Sequence, residues 1–548
     1  MPYEPDGMVT EELQNAMPHP SFGTTMIGSP ELSTEVSKPV RSSLKFHPLL
    51  RDLTLTMATE FSILVAGLVL VSLVGRLLGP DALGEYLLLR RVIAWLLTGV
   101  LLGMGNALPR YVAHAVKKSE GERTAYFLVA SGSLLGVACS VGLVLYLGRQ
   151  AFARWLFGSS ELSNLILPLC LLLVGQAVQT AAYGYYRGIM DLKRANATQV
   201  CHFAFIPIGA AALLYPTGSV ALIVGVTGSL TLVAAALFAW PIFRQLSKTA
   251  LPKLRPCATE LLRYGVVRVP VEFGSAALFA LGPMIATHYE RLDHVAYLLL
   301  GSSFLMVMGY AAGPLGVVLL SKVSMMLAQN RLGEVRTSLG YLLGAVLDLS
   351  VFAALQLVVF ADVLVRVWVG PRFLEGIPVV RLLILAIPPY LFYMALRSSI
   401  DAVTVKARNT GNVLIALAVY LVLIGATVKW LPATFLLESM AISLIVALVV
   451  LGVLTVRTFR ELFSLSIPWG RCAPSLAAAT ALGAASYAFS SVPGVHQAPI
   501  LAVFFELLVS GLFLGALIKL GSPWLGFVWE MAFPGRRLAG FAAKSQAA

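Results

Sequence analysis

Charged side chains are scarce in this sequence, since Asp, Glu, Lys and Arg together make up 12% of its 548 residues. A soluble globular domain carries about 25% charged residues. Apolar residues make up 58%, and they form repeated runs of about 20 residues, the length at which a helix crosses the hydrocarbon core of a bilayer. The composition therefore excludes an ordinary soluble protein and predicts an all-α polytopic membrane protein, in which each spanning segment pairs its own backbone groups.

The sequence also lacks the residue groupings that metal, redox or nucleotide chemistry needs. Its seven histidines show no metal-ligand spacing and no nearby nucleophile motif, and there is no Gly-Lys-Ser/Thr loop for the phosphates of ATP. No connection between the apolar runs is long enough to be the catalytic domain of a glycosyltransferase or a polysaccharide polymerase. We therefore expect no enzyme activity, no metal and no cofactor. The cysteines lie scattered, as small packing residues do: Cys139, Cys170, Cys201, Cys257 and Cys472.

The first 45 residues differ from the rest of the chain. They are rich in Pro, Ser, Thr and Glu and contain no apolar run, so they bury too little surface to offset the entropy of ordering. They also lack the basic start and apolar core of a cleaved signal. Residues 1–45 are therefore predicted to be a disordered cytoplasmic segment.

Fourteen apolar stretches are long enough to be transmembrane helices. About three quarters of the 40 Lys and Arg residues fall on the side that holds both termini. This asymmetry predicts an even number of spans with both termini in the cytoplasm. The net charge of +13 then reports topology and contact with anionic lipids rather than nucleic acid. The predicted spans are 56–78, 92–115, 124–148, 163–187, 196–216, 219–243, 264–287, 295–320, 338–361, 377–400, 410–431, 435–456, 472–491 and 498–520.

The sequence contains an internal repeat. A shift of roughly 211 positions brings Glu60 onto Glu272 and "ARWLFG" at 153–158 onto "VRVWVG" at 365–370. The repeat predicts two six-helix lobes with the same orientation around a central cavity, the geometry of alternating access. Two further helices follow the lobes. The predicted divisions are an N-lobe at 46–245, a C-lobe at 246–460, the two added helices at 461–521 and a cytoplasmic tail at 522–548.

Three motifs carry a family resemblance. They are "GRLLGP" at 75–80 with Gly84 and Tyr86 after it, "GNALPRYVAHA" at 105–115 and "LVRVWVGPRF" at 364–373. From about residue 52 to at least 456 the chain resembles the Wzx-like polysaccharide transporters of the multidrug/oligosaccharidyl-lipid/polysaccharide exporter superfamily. It departs from their pattern at "HYERLDHVAY", residues 288–297.

The resemblance implies a multi-pass flippase of the bacterial inner (plasma) membrane. It would carry undecaprenyl-pyrophosphate-linked oligosaccharide from the cytoplasmic to the periplasmic leaflet. Its product would serve lipopolysaccharide or exopolysaccharide assembly. The implied partners are the lipid-linked oligosaccharide, membrane lipids and a polysaccharide polymerase with its export machinery, and we expect a monomer. Two other transporters stay open as interpretations: a flippase for the peptidoglycan lipid precursor, and a cation-coupled drug exporter.

Arginines within the spans are the candidate substrate ligands. A charge at mid-bilayer costs about 2.5 to 3.5 kcal/mol and normally faces a partner or a wet lumen, and guanidinium groups bind pyrophosphate through paired hydrogen bonds. Arg90 and Arg91 are predicted near the outer end of the second span, with at most one directed into the lumen. Arg76 either lines the outer mouth or extends to lipid headgroups, and Arg268 either binds substrate or neutralises Glu272.

Acidic residues in and beside the spans are candidates for coupling and gating. Glu60 and Glu272 occupy matching repeat positions, where they would bind a coupling proton or Na⁺ or form ion pairs with arginine. Asp348 and Glu506 have no repeat counterpart and are interpreted as polar packing residues. The pairs Arg187 with Asp191 and Arg397 with Asp401 recur at the cytoplasmic ends of equivalent spans, which predicts an inner gate.

Overall fold

The computed structural model describes residues 46–116, 119–244, 248–329, 331–403, 408–465, 469–492, 494–495 and 498–532. The described residues are almost entirely helical and include no strand, so the predicted all-α membrane fold is confirmed. The predicted disordered segment 1–45 lies outside the described residues, as does most of the predicted tail, from residue 533 onward.

The described residues form twenty-one α-helices. The first nine are α1 Phe46–Leu78, α2 Pro80–Val100, α3 Met104–Val116, α4 Glu120–Leu147, α5 Arg149–Phe157, α6 Ile166–Gly188, α7 Leu192–Val200, α8 Ile206–Leu214 and α9 Val220–Arg244. A linking helix, α10 Leu254–Val266, leads to the next eight, which are α11 Val269–Ala286, α12 Leu292–Ala328, α13 Leu332–Val359, α14 Ala361–Trp368, α15 Ile377–Ile384, α16 Ile387–Val403, α17 Arg408–Trp430 and α18 Leu436–Phe463. The last three are α19 Trp469–Ser490, α20 Pro499–Leu520 and α21 Pro523–Ala532.

The number of spans agrees with the prediction. Twelve segments of the described chain are each long and apolar enough to cross a membrane, and two bent pairs bring the total to fourteen. The bent pairs are α2 with α3, at 46°, and the helical segment 371–384 with α16, at 48°. Each predicted span overlaps one of these fourteen segments. We call the side where α1 begins the inner side and the opposite side the outer side.

The second span begins earlier than predicted. Gly79 adopts φ 92°, which ends α1, and Pro80 starts α2, where its missing N–H costs no hydrogen bond. Arg91 therefore lies eleven residues into the helix, about 16 Å from its outer end. The prediction placed Arg90 and Arg91 near the outer end of the span, which is wrong. The two charges lowered the local hydropathy and moved the apparent start of the span past them.

The helices of the two halves repeat in the same order. Short α5 is followed by a 3-10 turn, Ser160–Leu165, and short α14 is followed by its counterpart, Pro371–Gly376. Between helix and turn, Gly158 and Gly370 both adopt positive φ, 77° and 107°. This shared kink accounts for the glycine that ends both repeat motifs, "ARWLFG" and "VRVWVG".

The halves meet along α2, which packs against α11 and α12 of the second half. Gly84 lies where α2 meets α12, and a Cβ atom there would come within 2.4 Å of the carbonyl oxygen of Leu292. Only glycine permits this approach of the two backbones. The second glycine of the opening motif is therefore required by packing between the halves.

Asp348 attaches the last helices to the second half. It is 2% exposed on α13, and its carboxylate accepts hydrogen bonds from Ser475 Oγ at 2.6 Å and Trp524 Nε1 at 2.9 Å. These donors belong to α19 and α21. The interpretation of Asp348 as a polar packing residue agrees with these contacts.

We expect Gly84→Ala to destabilise the protein by about 1 to 3 kcal/mol, because the added methyl group must push two backbones apart. The matched control is Gly67→Ala on α1, where an added Cβ meets nothing within 4 Å. Thermal unfolding in detergent measures both variants. Equal midpoints for the two would contradict the close packing assigned to α2 and α12.

Candidate functional site

A cavity of about 190 Å³ lies where α2 faces the second half of the protein. Its described lining includes Arg91 from α2, Ser275 from α11, Tyr310 from α12, and Tyr393 and Arg397 from α16, with Tyr390 and apolar side chains completing it. Two guanidinium groups and three phenol rings therefore share one cavity. This grouping gives it a positive, hydrogen-bonding wall.

Arg91 crosses from one half to the other. Its Nη2 donates to Ser302 Oγ and Ser303 Oγ of α12, both at 3.2 Å. Its Nε is buried and has no hydrogen-bond partner among the described residues. The two serines hold the guanidinium group at the cavity wall and leave part of its donor capacity unused.

Arg90 lies about 100° round the helix from Arg91 and is exposed. Its guanidinium carbon is 5.8 Å from the centre of the Tyr86 ring. It also interacts electrostatically with Tyr310, which lines the cavity. Arg90 is thus next to the cavity, although it is Arg91 that forms the wall.

Arg397 enters the same cavity from the opposite half. Its guanidinium carbon is 5.7 Å from the centre of the Tyr393 ring, and the Tyr393 hydroxyl lies 3.1 Å from Ser275 Oγ. Asp401, one turn further along α16, accepts a hydrogen bond from Asn409 Nδ2 at 2.7 Å. The structure thus places Arg397 beside the substrate candidates, whereas it was predicted only as a gate residue.

Asp191 does not pair with Arg187 in the manner predicted. The helix α6 ends at Gly188, so these two residues are not one turn apart on a continuous helix. Asp191 instead caps α7, accepting from the backbone N–H of Arg194 at 3.2 Å, and its carboxylate lies 3.6 Å from Arg194 Nε. Its position at the inner end of a span is as expected, and a gating role stays a prediction.

A second cluster of cations lies at the inner end of α3 and α10. The guanidinium carbons of Arg110 and Arg268 are 4.7 Å and 4.3 Å from the centre of the Tyr264 ring, and Arg110 Nη1 donates to the Tyr264 hydroxyl at 3.0 Å. We did not predict Arg110, although it belongs to the motif at 105–115. Its position after Pro109, towards the inner end of a span, was the available signal.

The two glutamates have arginine neighbours that correspond in the repeat. Glu60 interacts electrostatically with Arg187, and Glu272 with Arg268 and Arg397. Glu272 Oε1 also accepts a hydrogen bond from Asn106 Nδ2 of α3 at 2.9 Å, which joins the two halves. Among the described residues, no oxygen of Glu272 lies within 4 Å of a side-chain nitrogen of Arg268. The two residues interact electrostatically without forming a direct ion pair.

Arg76 has a structural environment that neither interpretation included. Its guanidinium donates to the carbonyl oxygens of Arg366, Val367 and Trp368 at the C-terminal end of α14. These carbonyls have no partner within their own helix, and a cation there also interacts favourably with the helix dipole. In return, Trp368 Nε1 donates to the carbonyl oxygen of Leu68 at 2.8 Å. The "GRLLGP" and "LVRVWVGPRF" motifs therefore bind each other.

The repeat makes a matching contact on the other half. A Cβ atom at Gly158 would lie 2.2 Å from the carbonyl oxygen of Thr287, which ends α11. The first helix of each lobe thus packs against the short outer helix of the other lobe. These two contacts join the lobes on the outer side of the molecule.

No group of three or more His, Cys, Asp or Glu side chains within the described part of the chain is arranged to hold a metal ion.

Comparison with known proteins finds similarity in fold. No protein-family model matches the chain, and no curated protein matches it by sequence. The lipid II flippase MurJ, in an inward closed conformation, superposes with a TM-score of 0.63 at 15% identity, covering 85% of this chain and 100% of MurJ. The chain has the MurJ and MATE transporter fold.

Two MATE structures support this assignment. An inward-facing multidrug resistance MATE transporter of the MOP superfamily has a TM-score of 0.58 at 17% identity, covering 77% of this chain and 99% of its own. The eukaryotic MATE transporter AtDTX14 has a TM-score of 0.53 at 15% identity. The superposition covers 75% of this chain and 95% of AtDTX14. The fold that the resemblance implies is thus confirmed, and membership of the superfamily and of its Wzx-like branch stays a prediction.

We expect Arg76→Ala to loosen the outer contact, because hydrogen bonds to a charged donor contribute about 1.5 to 3 kcal/mol. The reporter is a cysteine introduced as Val369→Cys. Val369 is 1% exposed and packs beside Gly75, next to the Arg76 contact. A membrane-impermeant maleimide should label that cysteine several-fold faster in the Arg76→Ala protein. With Arg76→Lys, which keeps the charge, the labelling rate should lie between those of the wild-type and Arg76→Ala backgrounds.

The native thiols leave this measurement clear. Cys139 is exposed and is replaced by alanine in the background. Burial raises the pKa of the Cys257 thiol to about 11, so it stays protonated and slow to react at neutral pH. An unchanged labelling rate after Arg76→Ala would show that Arg76 does not hold the outer side closed.

Proposed function

We propose that this protein is a flippase that moves undecaprenyl-pyrophosphate-linked oligosaccharide from the cytoplasmic to the periplasmic leaflet by alternating access, for export of lipopolysaccharide or exopolysaccharide. The observation that carries the proposal is the cavity shared by Arg91 and Arg397. Its described lining contains two arginines and no acidic residue. Such a wall suits an anionic ligand.

The chemistry of the wall fits a pyrophosphate bearing sugars. A pyrophosphate that leaves water needs replacements for its hydration, and planar guanidinium groups supply them as charge-assisted, paired hydrogen bonds. The hydroxyls of Tyr310, Tyr390 and Tyr393 both donate and accept hydrogen bonds, as sugar hydroxyls require. The prenyl chain would stay in the lipid between the lobes.

The size of the cavity requires movement. At about 190 Å³ it is smaller than the roughly 300 to 1,000 Å³ of common small-molecule sites, and a lipid-linked oligosaccharide head is larger than most such ligands. The lobes must therefore separate to admit it. The named state of the MurJ neighbour, inward closed, supports a cavity that enlarges and contracts during the cycle.

The order of events follows from the positions of the cations. Arg110 and Arg268, around Tyr264 at the inner end, would meet the head group first. Arg91 and Arg397 would hold it deeper while the lobes rock, and opening of the Arg76 contact would release it outside. In this scheme Arg187 with Asp191, and Arg397 with Asp401, belong to the inner gate.

The scheme includes an ion as the source of energy. We propose a proton or Na⁺ bound at Glu60 or Glu272, the repeated carboxylates beside arginines. It also places both termini in the cytoplasm, with the protein acting as a monomer beside a polysaccharide polymerase and its export machinery. No step forms a covalent bond, so the chain is proposed to be a transporter and not an enzyme.

The peptidoglycan lipid-precursor flippase is the second candidate. It is favoured by the superposition on MurJ, a lipid II flippase. A cation-coupled drug exporter fits less well, although MATE transporters share the fold. A cationic drug would be repelled by the guanidinium groups of Arg91 and Arg397.

Reconstitution into vesicles with a fluorescent undecaprenyl-pyrophosphate oligosaccharide tests the proposal. We expect flipping to fall by roughly 10- to 100-fold in Arg91→Ala and in Arg397→Ala, since loss of one charge-assisted contact costs about 1.5 to 3 kcal/mol and each 1.4 kcal/mol is tenfold. Lysine at either position should restore part of the activity.

The matched control is Arg457→Ala. Arg457 is exposed at the inner end of α18, and among the described residues its ion pair is with the nearby Glu461 at 3.1 Å. Its loss should therefore leave flipping unchanged. Transport of a labelled lipid II with no transport of the oligosaccharide lipid would favour the second candidate. If correctly folded wild-type protein transports neither lipid II nor the oligosaccharide lipid, both flippase proposals are refuted.

A further inference from the structure

Among the described residues, three polar side chains with unpaired atoms lie where α13 meets α19 and α20. They are Gln356 on α13, Ser486 on α19 and Glu506 on α20. Gln356 is 4% exposed and Ser486 is 0% exposed. Both amide atoms of Gln356, Oγ of Ser486 and Oε2 of Glu506 are buried, and no described residue forms a hydrogen bond with them. Buried polar atoms normally have a partner, so this group needs a physical explanation.

Aromatic contacts fix the register of α13 against α20. Phe352 of α13 stacks on Phe513 of α20 with ring centres 4.1 Å apart, and further towards the outer side Phe360 lies 6.3 Å from Phe505. The two helices are therefore antiparallel. Gln356 lies four residues from Phe352 and four from Phe360, so its depth is midway between the two contacts.

Glu506 and Ser486 lie close to the same depth. Glu506 follows Phe505, and in this register it is about 4.5 Å from the level of Gln356 along the helix axis, less than one turn. On α19, Phe489 stacks on Phe505 with ring centres 3.8 Å apart, and Ser486 comes three residues before Phe489. The three polar side chains therefore occupy one layer, in the outer third of their helices.

Their positions on the helices direct them to a common space. Gln356 lies about 40° round α13 from Phe352, and Glu506 lies about 20° round α20 from Phe513. Since the rings of Phe352 and Phe513 stack on each other, Gln356 and Glu506 are on the faces where α13 and α20 meet. We call the space between the Phe352–Phe513 contact and the Phe505 ring the polar gap.

The charge of Glu506 has no counterpart in this gap. Burial alone acts on its carboxyl group. The titratable side chains in the outer halves of the surrounding helices are Asp348, Asp362, Arg366, Arg381 and Tyr487. Asp362 lies 3.5 Å from Arg381, Ser475 and Trp524 donate to Asp348, and Tyr487 is exposed. An ionised carboxylate without a cation partner is costly within a span, so the neutral acid is the favoured form.

A neutral acid matches the unused groups of the gap. Its O–H donates and its carbonyl oxygen accepts, while the Gln356 amide accepts at Oε1 and donates at Nε2. The Ser486 hydroxyl does either. Protonated Glu506 thus offers a complementary group to each unpaired atom, directly or through one buried water molecule. An ionised carboxylate only accepts, so it removes a donor from the gap and adds an unpaired charge.

We propose that the polar gap is a proton-binding site, in which Gln356 and Ser486 hold Glu506 as a neutral acid. Loss of the proton leaves a charge between α13 and α20 and weakens their packing. The proton therefore controls how firmly α19 and α20 attach to the second lobe. This assignment does not depend on what the arginine cavity binds.

Equilibrium unfolding of the purified full chain in lipid–detergent micelles tests the proton. Wild type is compared with Glu506→Gln, which has the shape of the neutral acid and cannot ionise. The range is about pH 5.5 to 8.5, above the value near 4.3 at which an unperturbed glutamate titrates. A fold that keeps the proton binds one more than the unfolded chain. The folding equilibrium of wild type should therefore fall relative to Glu506→Gln by up to about tenfold per pH unit as pH rises.

A difference between the two proteins that stays constant across this range would show that Glu506 is ionised in the fold as in the unfolded chain. That result would overturn the proposal, as would a wild type that gains stability over Glu506→Gln as pH rises. The matched control is Glu161→Gln. Glu161 is exposed on the outer side, so its replacement should not change the pH dependence.

Exchange of K⁺ for Na⁺ at fixed pH distinguishes a proton from a metal cation. The proposal predicts equal stability in the two salts. Stabilisation of wild type by Na⁺ that is abolished in Glu506→Gln would assign the polar gap to a metal cation and contradict the proton site.

A double-mutant cycle tests whether the residues share one site. Gln356→Leu and Glu506→Leu each remove one member of the pair. If the amide and the acid bind each other, the two changes together should cost several-fold less in the folding equilibrium than the product of their separate effects. Costs that simply multiply would show that Gln356 and Glu506 act independently, which contradicts the proposed site.

Infrared spectroscopy reports the carboxyl group without unfolding the protein. A neutral carboxylic acid has a carbonyl band that an ionised carboxylate lacks. Wild type at neutral pH should show one such band that is absent from Glu506→Gln and retained in Glu161→Gln. Identical spectra for wild type and Glu506→Gln in this region would mean that Glu506 carries no proton.

Discussion

The structure depends on how an arginine is accommodated in the middle of a membrane protein. A guanidinium group at that depth needs a partner or a wet cavity, because burial in lipid alone is costly. Arg91 has both, since Ser302 and Ser303 of the other lobe accept its hydrogen bonds and the shared cavity receives the rest of the group. At this depth the lobes are therefore joined by a polar contact in addition to the apolar packing of α2 against α11 and α12. A polar contact of this kind can exchange its partners when a ligand with better acceptors arrives.

The cations on the two sides of the molecule differ in how far the protein itself accepts their hydrogen bonds. On the outer side, the first helix of each lobe packs against a short helix of the other, and the cation there, Arg76, is satisfied by backbone carbonyls. On the inner side, Arg110 and Arg268 contact one tyrosine ring and stay exposed. Cations that are satisfied by the protein hold it together, and cations with unused donors are available to an anionic ligand.

Much of the fold was predictable from the sequence because span length and repetition are encoded locally. The fourteen segments and the repeat follow from runs of apolar residues and from shared Gly-containing motifs. The exception, the start of α2, arose because Arg90 and Arg91 interrupt the hydropathy in mid-helix. The site was predictable only in part. Arg91 stood out as a charge within a span. Ser302 and Tyr264, by contrast, have ordinary residue types whose roles depend on contacts between helices distant in sequence.

The central claim is that an anionic lipid head occupies the cavity between Arg91 and Arg397. A structure of the protein in a lipid nanodisc with undecaprenyl-pyrophosphate oligosaccharide bound tests this most directly. The account predicts phosphate oxygens within hydrogen-bonding distance of both guanidinium groups, with the lobes parted to make room. A pyrophosphate bound elsewhere, with both arginines still contacting only protein, would contradict it.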